Sequence, residues 1–226
     1  MIYDETEKTK YSSNEELINY VAYGACAAFG LAACVLMFIK AIPTFSFIHI
    51  LSATLYGLSI IALFIIPCLY RLLKGKIGHR VVQSIENNMI FILLAGSFSP
   101  YSLIAMKGQN LWGWGEGLAG YIILGLIWSI CVLAVVFNSI NVHDFAWLSV
   151  ISYLACAWLV ILSMFGLWNI LPSIANWLLL GSLLIYIIGA IVREYSQKSG
   201  YSNALFYFIM LMAASLMFVS IFFYVY

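Results

Sequence analysis

The sequence predicts an all-α integral membrane protein, a bundle of seven transmembrane helices, and three observations lead there. Seven apolar runs fill nearly all of its 226 residues, and each reaches the ~20 residues that a helix needs to cross a bilayer. Composition agrees, at 65% hydrophobic and 8% charged, with a mean hydropathy of +1.03 that suits a surface meeting lipid rather than water. The runs are continuous, whereas the strands of a membrane β-barrel alternate polar and apolar positions over segments of about ten residues.

Residues 1–17 form a polar, acidic tail (Asp4, Glu5, Glu7, Glu15, Glu16) expected in the cytosol. The tail has neither the basic stretch nor the short apolar core of a cleaved signal, so the first span, 18–39, is expected to stay as an anchor. That span is rich in small residues (Ala22, Gly24, Ala25, Gly30, Ala33), which let helices approach closely in lipid. The second span, 47–70, follows the polar break Lys40–Pro43 and ends at the basic stretch Arg71–Arg80. The third, 87–106, opens on Glu86-Asn87-Asn88 and closes at Lys107–Glu116. The fourth, 118–138, and fifth, 145–166, are separated by Asn138–Asp144. Trp168–Pro172 leads into the sixth, 172–192, which holds Gly181 and Gly189 and ends at Arg193–Gly200. The seventh, 203–225, follows Tyr201-Ser202 and carries Ala213 and Ala214 as packing residues. Trp112, Trp114, Trp147, Trp168, Trp177, Tyr224 and Tyr226 fall near span ends, as the aromatic belt of a membrane interface does.

Positive charge sets the orientation. With the N-terminus in the cytosol, eight of the ten Lys and Arg fall on cytosolic segments: Lys8, Lys10, Arg71, Lys74, Lys76, Arg80, Arg193 and Lys198. Only Lys40 and Lys107 remain outside, so the expected topology is N-terminus in and C-terminus out. Membrane lipid is the expected partner, with no nucleic acid. The five cysteines (Cys26, Cys34, Cys68, Cys131, Cys156) sit in apolar runs without a CxxC pair and read as small hydrophobes. His49, His79 and His143 (beside Asp144) fall in separate places and compose no metal site.

Polar groups inside hydrocarbon must be paired. The unusual ones gather at the cytosolic ends of spans two, three and seven: Arg71, Glu86, Asn87, Asn203 and, one turn further on the same face, Tyr207. Two readings stand. In one, Arg71 reaches for the headgroups and Glu86 with Asn87 caps the third helix, where the dipole favours a carboxylate. In the other these residues form a polar pocket in which Arg71 pairs with Glu86, beside Asn203 and Tyr207.

The string Glu86-Asn-Asn-Met-Ile-Phe-Ile-Leu-Leu-Ala-Gly-Ser-Phe-Ser-Pro100 resembles the third-helix signature of the hemolysin III family, part of the wider group of progestin and adiponectin receptors. Glu16-Leu-Ile-Asn19-Tyr-Val-Ala-Tyr23-Gly24 is similar to that family's opening motif, and Tyr56-Gly57-Leu-Ser59 to its second helix. Gly125 to Trp128, Trp158 and Gly189-Ala190-Ile191 also fit. The resemblance implies a zinc site near the cytosolic face, with a His ending helix two, a His-x-x-x-His opening helix seven, and an Asp of helix three on the zinc-bound water. Carried onto this chain, the helix-two Ser and His positions are Pro67 and Arg71. The Asp is Glu86 with Asn87 as its neighbour, the helix-seven pair is Asn203 and Tyr207, and a first-helix His is Tyr23. Every imidazole is replaced, so no zinc or other cofactor is expected here.

The resemblance implies a role in lipid or membrane homeostasis, in a bacterial cytoplasmic membrane. Without zinc ligands, the expected function is non-catalytic: a helical bundle that binds a lipid or small apolar ligand. An alternative is a membrane-embedded amide hydrolase acting on ceramide-type lipids, with a metal or with Glu86 as general base. A further alternative is a cytolytic pore, against which stand the nearly uncharged spans four to seven.

Overall fold

The computed structural model describes residues 13–66, 79–110, 113, 115–140, 146–195 and 202–226. Among them the chain forms seven α-helices and no strand: α1 (Ser13–Ala41), α2 (Phe47–Phe64), α3 (His79–Pro100), α4 (Leu118–Ile140), α5 (Ala146–Leu167), α6 (Ser173–Tyr195) and α7 (Ser202–Tyr224). Among the described residues six of these hold a stretch long and apolar enough to cross a membrane, and α5 holds the apolar stretch Leu154–Leu167. The helical membrane bundle read from hydropathy is the fold observed. α1 and α3 begin well before their apolar runs, at Ser13 and His79 rather than at 18 and 87. An apolar run measures hydrocarbon thickness, and a helix continues past it wherever its backbone bonds still close.

The helices form a ring in chain order, with α7 returning to pack on α1 and α3 drawn to the centre. Of the apolar window of α3, 78% is buried, against 28–44% for the other five spans. Among the described residues the contact between α5 and α6 is the sparsest between consecutive helices, whereas α6 and α7 pack closely. Lipid tails are as apolar as Leu, so this association rests on close packing and buried hydrogen bonds rather than on water exclusion. Glycines supply the closest approaches. A Cβ at Gly57 would meet the Cys34 sulfur at 2.7 Å, and one at Gly189 would meet Met210 Cε at 2.9 Å. Large apolar side chains point outward as the lipid face, among them Trp158, Phe165, Trp177 and Phe223.

Pro100 gives α3 its shape. Proline cannot donate to the carbonyl four residues earlier, and the helix widens at once into a π-helical turn, Tyr101–Ala105. Tyr101, the first residue of that turn, is fully buried. Its hydroxyl donates to Ser220 Oγ of α7 at 2.6 Å, and Ser220 donates onward to the Ala175 carbonyl of α6 at 3.0 Å. Ser99 receives the Trp128 indole N–H of α4 at 3.2 Å and donates to the Ala95 carbonyl at 2.9 Å. Ser99 in the third-helix string and Tyr101 just after it thus tie α3 to its neighbours.

The described cysteines sit within helices as small hydrophobes do, with one addition. Cys131 of α4 and Cys156 of α5 are both buried, with sulfurs 3.6 Å apart. Their separation in sequence gave no sign that they would face each other. Cys68 lies outside the described residues.

Candidate functional site

The residues at the basic-loop end of the bundle are set by the α1–α7 contact. α7 opens at Ser202, so Asn203 falls in its first turn and Tyr207 one turn on, a spacing that puts both on one face. Tyr207 is fully buried, and its ring stands edge-on to Tyr23 of α1, with centroids 4.8 Å apart and planes at 87°. Such an edge-to-face pair contributes about 1 kcal/mol beyond its buried area. The Cys26 thiol reaches the Tyr207 carbonyl at 3.4 Å, and the Phe206 ring lies 5.2 Å from the Tyr207 ring. The structure therefore brings together Tyr23 and Tyr207, two of the positions at which the resemblance places histidines.

Asn19 supplies a further tie. Its Oδ1 accepts the Ala204 backbone N–H at 2.9 Å, and the side chain is buried. The first four amides of a helix have no partner within it, so Asn19 of α1 acts as the N-terminal cap of α7 from a neighbouring helix. Sequence reasoning did not single Asn19 out as a site residue, although it stands in the string that resembles the opening motif. Asn19→Ala is expected to lower stability by about 1–2 kcal/mol, while Asn19→Asp, which keeps the acceptor, costs less. Thermal unfolding of the detergent-purified variants checks this order.

The other expected site residues divide by what is described. Arg71 lies outside the described residues. Glu86 and Asn87 lie on α3 and Asn203 on α7, with their side chains outside the description. The backbone alone corrects one reading: α3 starts at His79, so Glu86 is not at the helix start and cannot cap it. The dipole effect fades beyond the first turn. Glu86 instead lies on the helix just before the apolar run 87–106 of the sequence. Asn88 is buried and donates from Nδ2 to Ser139 Oγ of α4 at 3.0 Å. At the opposite end His49 opens α2, edge-on to Tyr226 at 5.6 Å, while its carbonyl accepts the Tyr226 hydroxyl at 2.8 Å. His79 lies on α3 with its side chain outside the description, and His143 and Asp144 lie outside the described residues.

The donor set does not fit zinc. The ion takes imidazole, thiolate or carboxylate, and of Arg71, Glu86, Asn203 and Tyr207 only Glu86 is one of these. Arg71 has no lone pair to offer. Tyr207 is held in aromatic packing against Tyr23, and its thiol neighbour, Cys26, is engaged with a carbonyl. Among the described residues no three His, Cys, Asp or Glu side chains cluster as a metal site would require.

Comparison with known proteins places this arrangement. The family model described as haemolysin-III related matches residues 11–200, ending just before α7. Hemolysin-3 of Bacillus cereus is 24% identical over 211 residues, covering 93% of this chain and 92% of that protein. The Hemolysin-3 homolog of Bacillus subtilis (strain 168) is 26% identical over 214 residues, covering 95% and 96%. No solved structure matches the chain. With the match running through six of the seven helices, and with both relatives covered almost end to end, the chain belongs to the haemolysin-III-related family.

Proposed function

We propose that this chain is a zinc-free, non-catalytic member of its family that binds a membrane lipid within the bundle, at a bacterial cytoplasmic membrane. The packing at Tyr207 carries the reading. Where a metal centre would need exposed lone pairs and a water, this chain has two tyrosine rings in edge-to-face contact and a helix start capped by Asn19. Metal-assisted hydrolysis needs an ion that activates water, and a lone Glu86 has neither a second carboxylate nor a nucleophile beside it in the sequence. The lipid half of the reading is supported by the sparse α5–α6 contact, which leaves one lateral seam of the ring less closed than the rest.

Metal analysis of detergent-purified protein, expressed with zinc supplied, tests the first half. The expected result is well under one zinc per chain. One tightly held zinc per chain overturns the reading and returns hydrolase chemistry, with Glu86, Cys68 and His79 as the ligands to substitute. Mass spectrometry of lipid extracted with the protein tests the second half: a stoichiometric, selective species supports binding, and a profile identical to bulk membrane opposes it.

A further inference from the structure

Hydroxyls in this bundle mostly satisfy themselves. Thr54, Ser99, Ser129, Ser139, Ser163 and Ser215 each donate to the carbonyl four residues earlier, at 2.6–2.9 Å. That is the ordinary way for a hydroxyl to sit in a membrane helix. A smaller set of buried hydroxyls departs from it, Ser52 and Ser102 among them, and three of that set are neighbours. Tyr56 of α2, Ser97 of α3 and Tyr186 of α6 are all buried, at 0%, 0% and 6% exposure. None of their hydroxyls makes a hydrogen bond. These are not scattered orphans. Tyr186 stands beside Ser97 yet short of hydrogen-bond geometry with it, and Tyr56 has Tyr186 and Tyr101 as its neighbouring phenols.

We propose that Tyr56, Ser97 and Tyr186 form a binding site for the uncharged oxygen-bearing end of a membrane-soluble molecule, a carbonyl or hydroxyl carried on an apolar chain. The inference rests on the lipid-binding reading and adds where the polar end of the lipid sits and of what kind it is. An unpartnered hydroxyl in so apolar a place is costly, and with Tyr186 a neighbour of both Ser97 and Tyr56 the three offer one place for a partner. The proton inventory gives the polarity. Tyr101 spends its proton on Ser220, which spends its own on the Ala175 carbonyl. Tyr56, Ser97 and Tyr186 each keep a proton to give, and an oxygen with two lone pairs accepts two of them. A carboxylate is disfavoured because burying its charge needs a cation. The two lysines beyond the basic-loop end stand elsewhere: Lys40 Nζ is held by the Phe222 carbonyl and lies 4.4 Å over the Phe222 ring, and Lys107 is exposed.

The test uses full-length protein in nanodiscs and radiolabelled 1-oleoylglycerol, with empty nanodiscs subtracted and oleate at pH 8 as the charged counterpart. Wild type is expected to bind the neutral probe saturably and at least tenfold more tightly than oleate. Tyr56→Phe and Tyr186→Phe remove one oxygen each and keep the ring, and each is expected to weaken binding about tenfold. Phenylalanine also removes an orphaned hydroxyl, so the melting temperature without probe should hold or rise. If either phenylalanine variant fails to fold, Ser97→Ala serves in its place with the same tenfold expectation. Equal affinity of wild type and variants overturns the site and leaves water as the partner of these hydroxyls, with lipid binding elsewhere in the bundle untouched. Tighter binding of oleate overturns the assignment of an uncharged end. If 1-oleoylglycerol does not bind wild type, the co-purified lipid decides: a selective lipid removes this site alone, and none removes the lipid-binding reading with it.

Discussion

Gly96→Ala is expected to cost about 2 kcal/mol of stability, and Gly96→Val more. A Cβ at Gly96 would run into the Ser59 side chain and stand 2.8 Å from the Leu55 carbonyl oxygen, both on α2. Ser59 is pinned by its bond to the Tyr56 carbonyl at 2.7 Å, and the Leu55 carbonyl is helix backbone, so neither can yield without moving α2 away from α3. Overpacking of this kind costs about 1–3 kcal/mol, at the upper end where backbone is the obstacle. Alanine recovers up to about 1 kcal/mol through its better helix propensity, which sets the net near 2. The melting temperature of detergent-purified protein should fall by about 4–8 °C. Gly96→Ala with Ser59→Ala should recover part of the loss, because the Leu55 carbonyl still obstructs. Gly24 and Gly125 have nothing within 4 Å of a new Cβ, so alanine there should be neutral or mildly stabilising. If all three glycines respond alike, the loss at Gly96 is not steric.

The same contact shows what the sequence discloses and what it withholds. The helical membrane bundle is legible because hydropathy reports directly on the solvent. Gly96, Ser97, Ser99 and Pro100 are recognisable as a signature, but their tasks are visible only in three dimensions. Gly96 admits α2, Ser99 holds Trp128, and Pro100 precedes the π-helical turn that opens on Tyr101. Helical periodicity says which residues share a face, not which helix that face meets. Tyr23 with Tyr207, Asn19 with Ala204 and Cys131 with Cys156 are therefore invisible to spacing. The reading of Glu86 as a cap went astray for a related reason. A change from polar to apolar residues marks where hydrocarbon begins, not where a helix starts, and α3 is already helical at His79.

That correction bears on the candidate pocket. Seven residues into α3, Glu86 gains little from the helix dipole, which acts within the first turn. It stands at least about 10 Å along the helix, at 1.5 Å per residue from His79, and just before the apolar run 87–106 of the sequence. A carboxylate there needs a cation, and the resemblance gives it zinc only where histidines hold the ion. In this chain Arg71 stands at the position of one such histidine, and we propose that its guanidinium replaces the dication as the partner of Glu86. Arg71→Ala should then cost on the order of 3 kcal/mol, as breaking a desolvated pair does by stranding one charge. If Arg71 only reaches for headgroups, the loss should stay below about 1 kcal/mol, the usual worth of an exposed charge. The decisive variant is Arg71→Ala combined with Glu86→Gln, which removes the stranded charge as well as its partner. The expected outcome is partial recovery of folded yield and melting temperature relative to Arg71→Ala alone. Simple addition of the two single losses would separate the residues energetically and dismiss the pair.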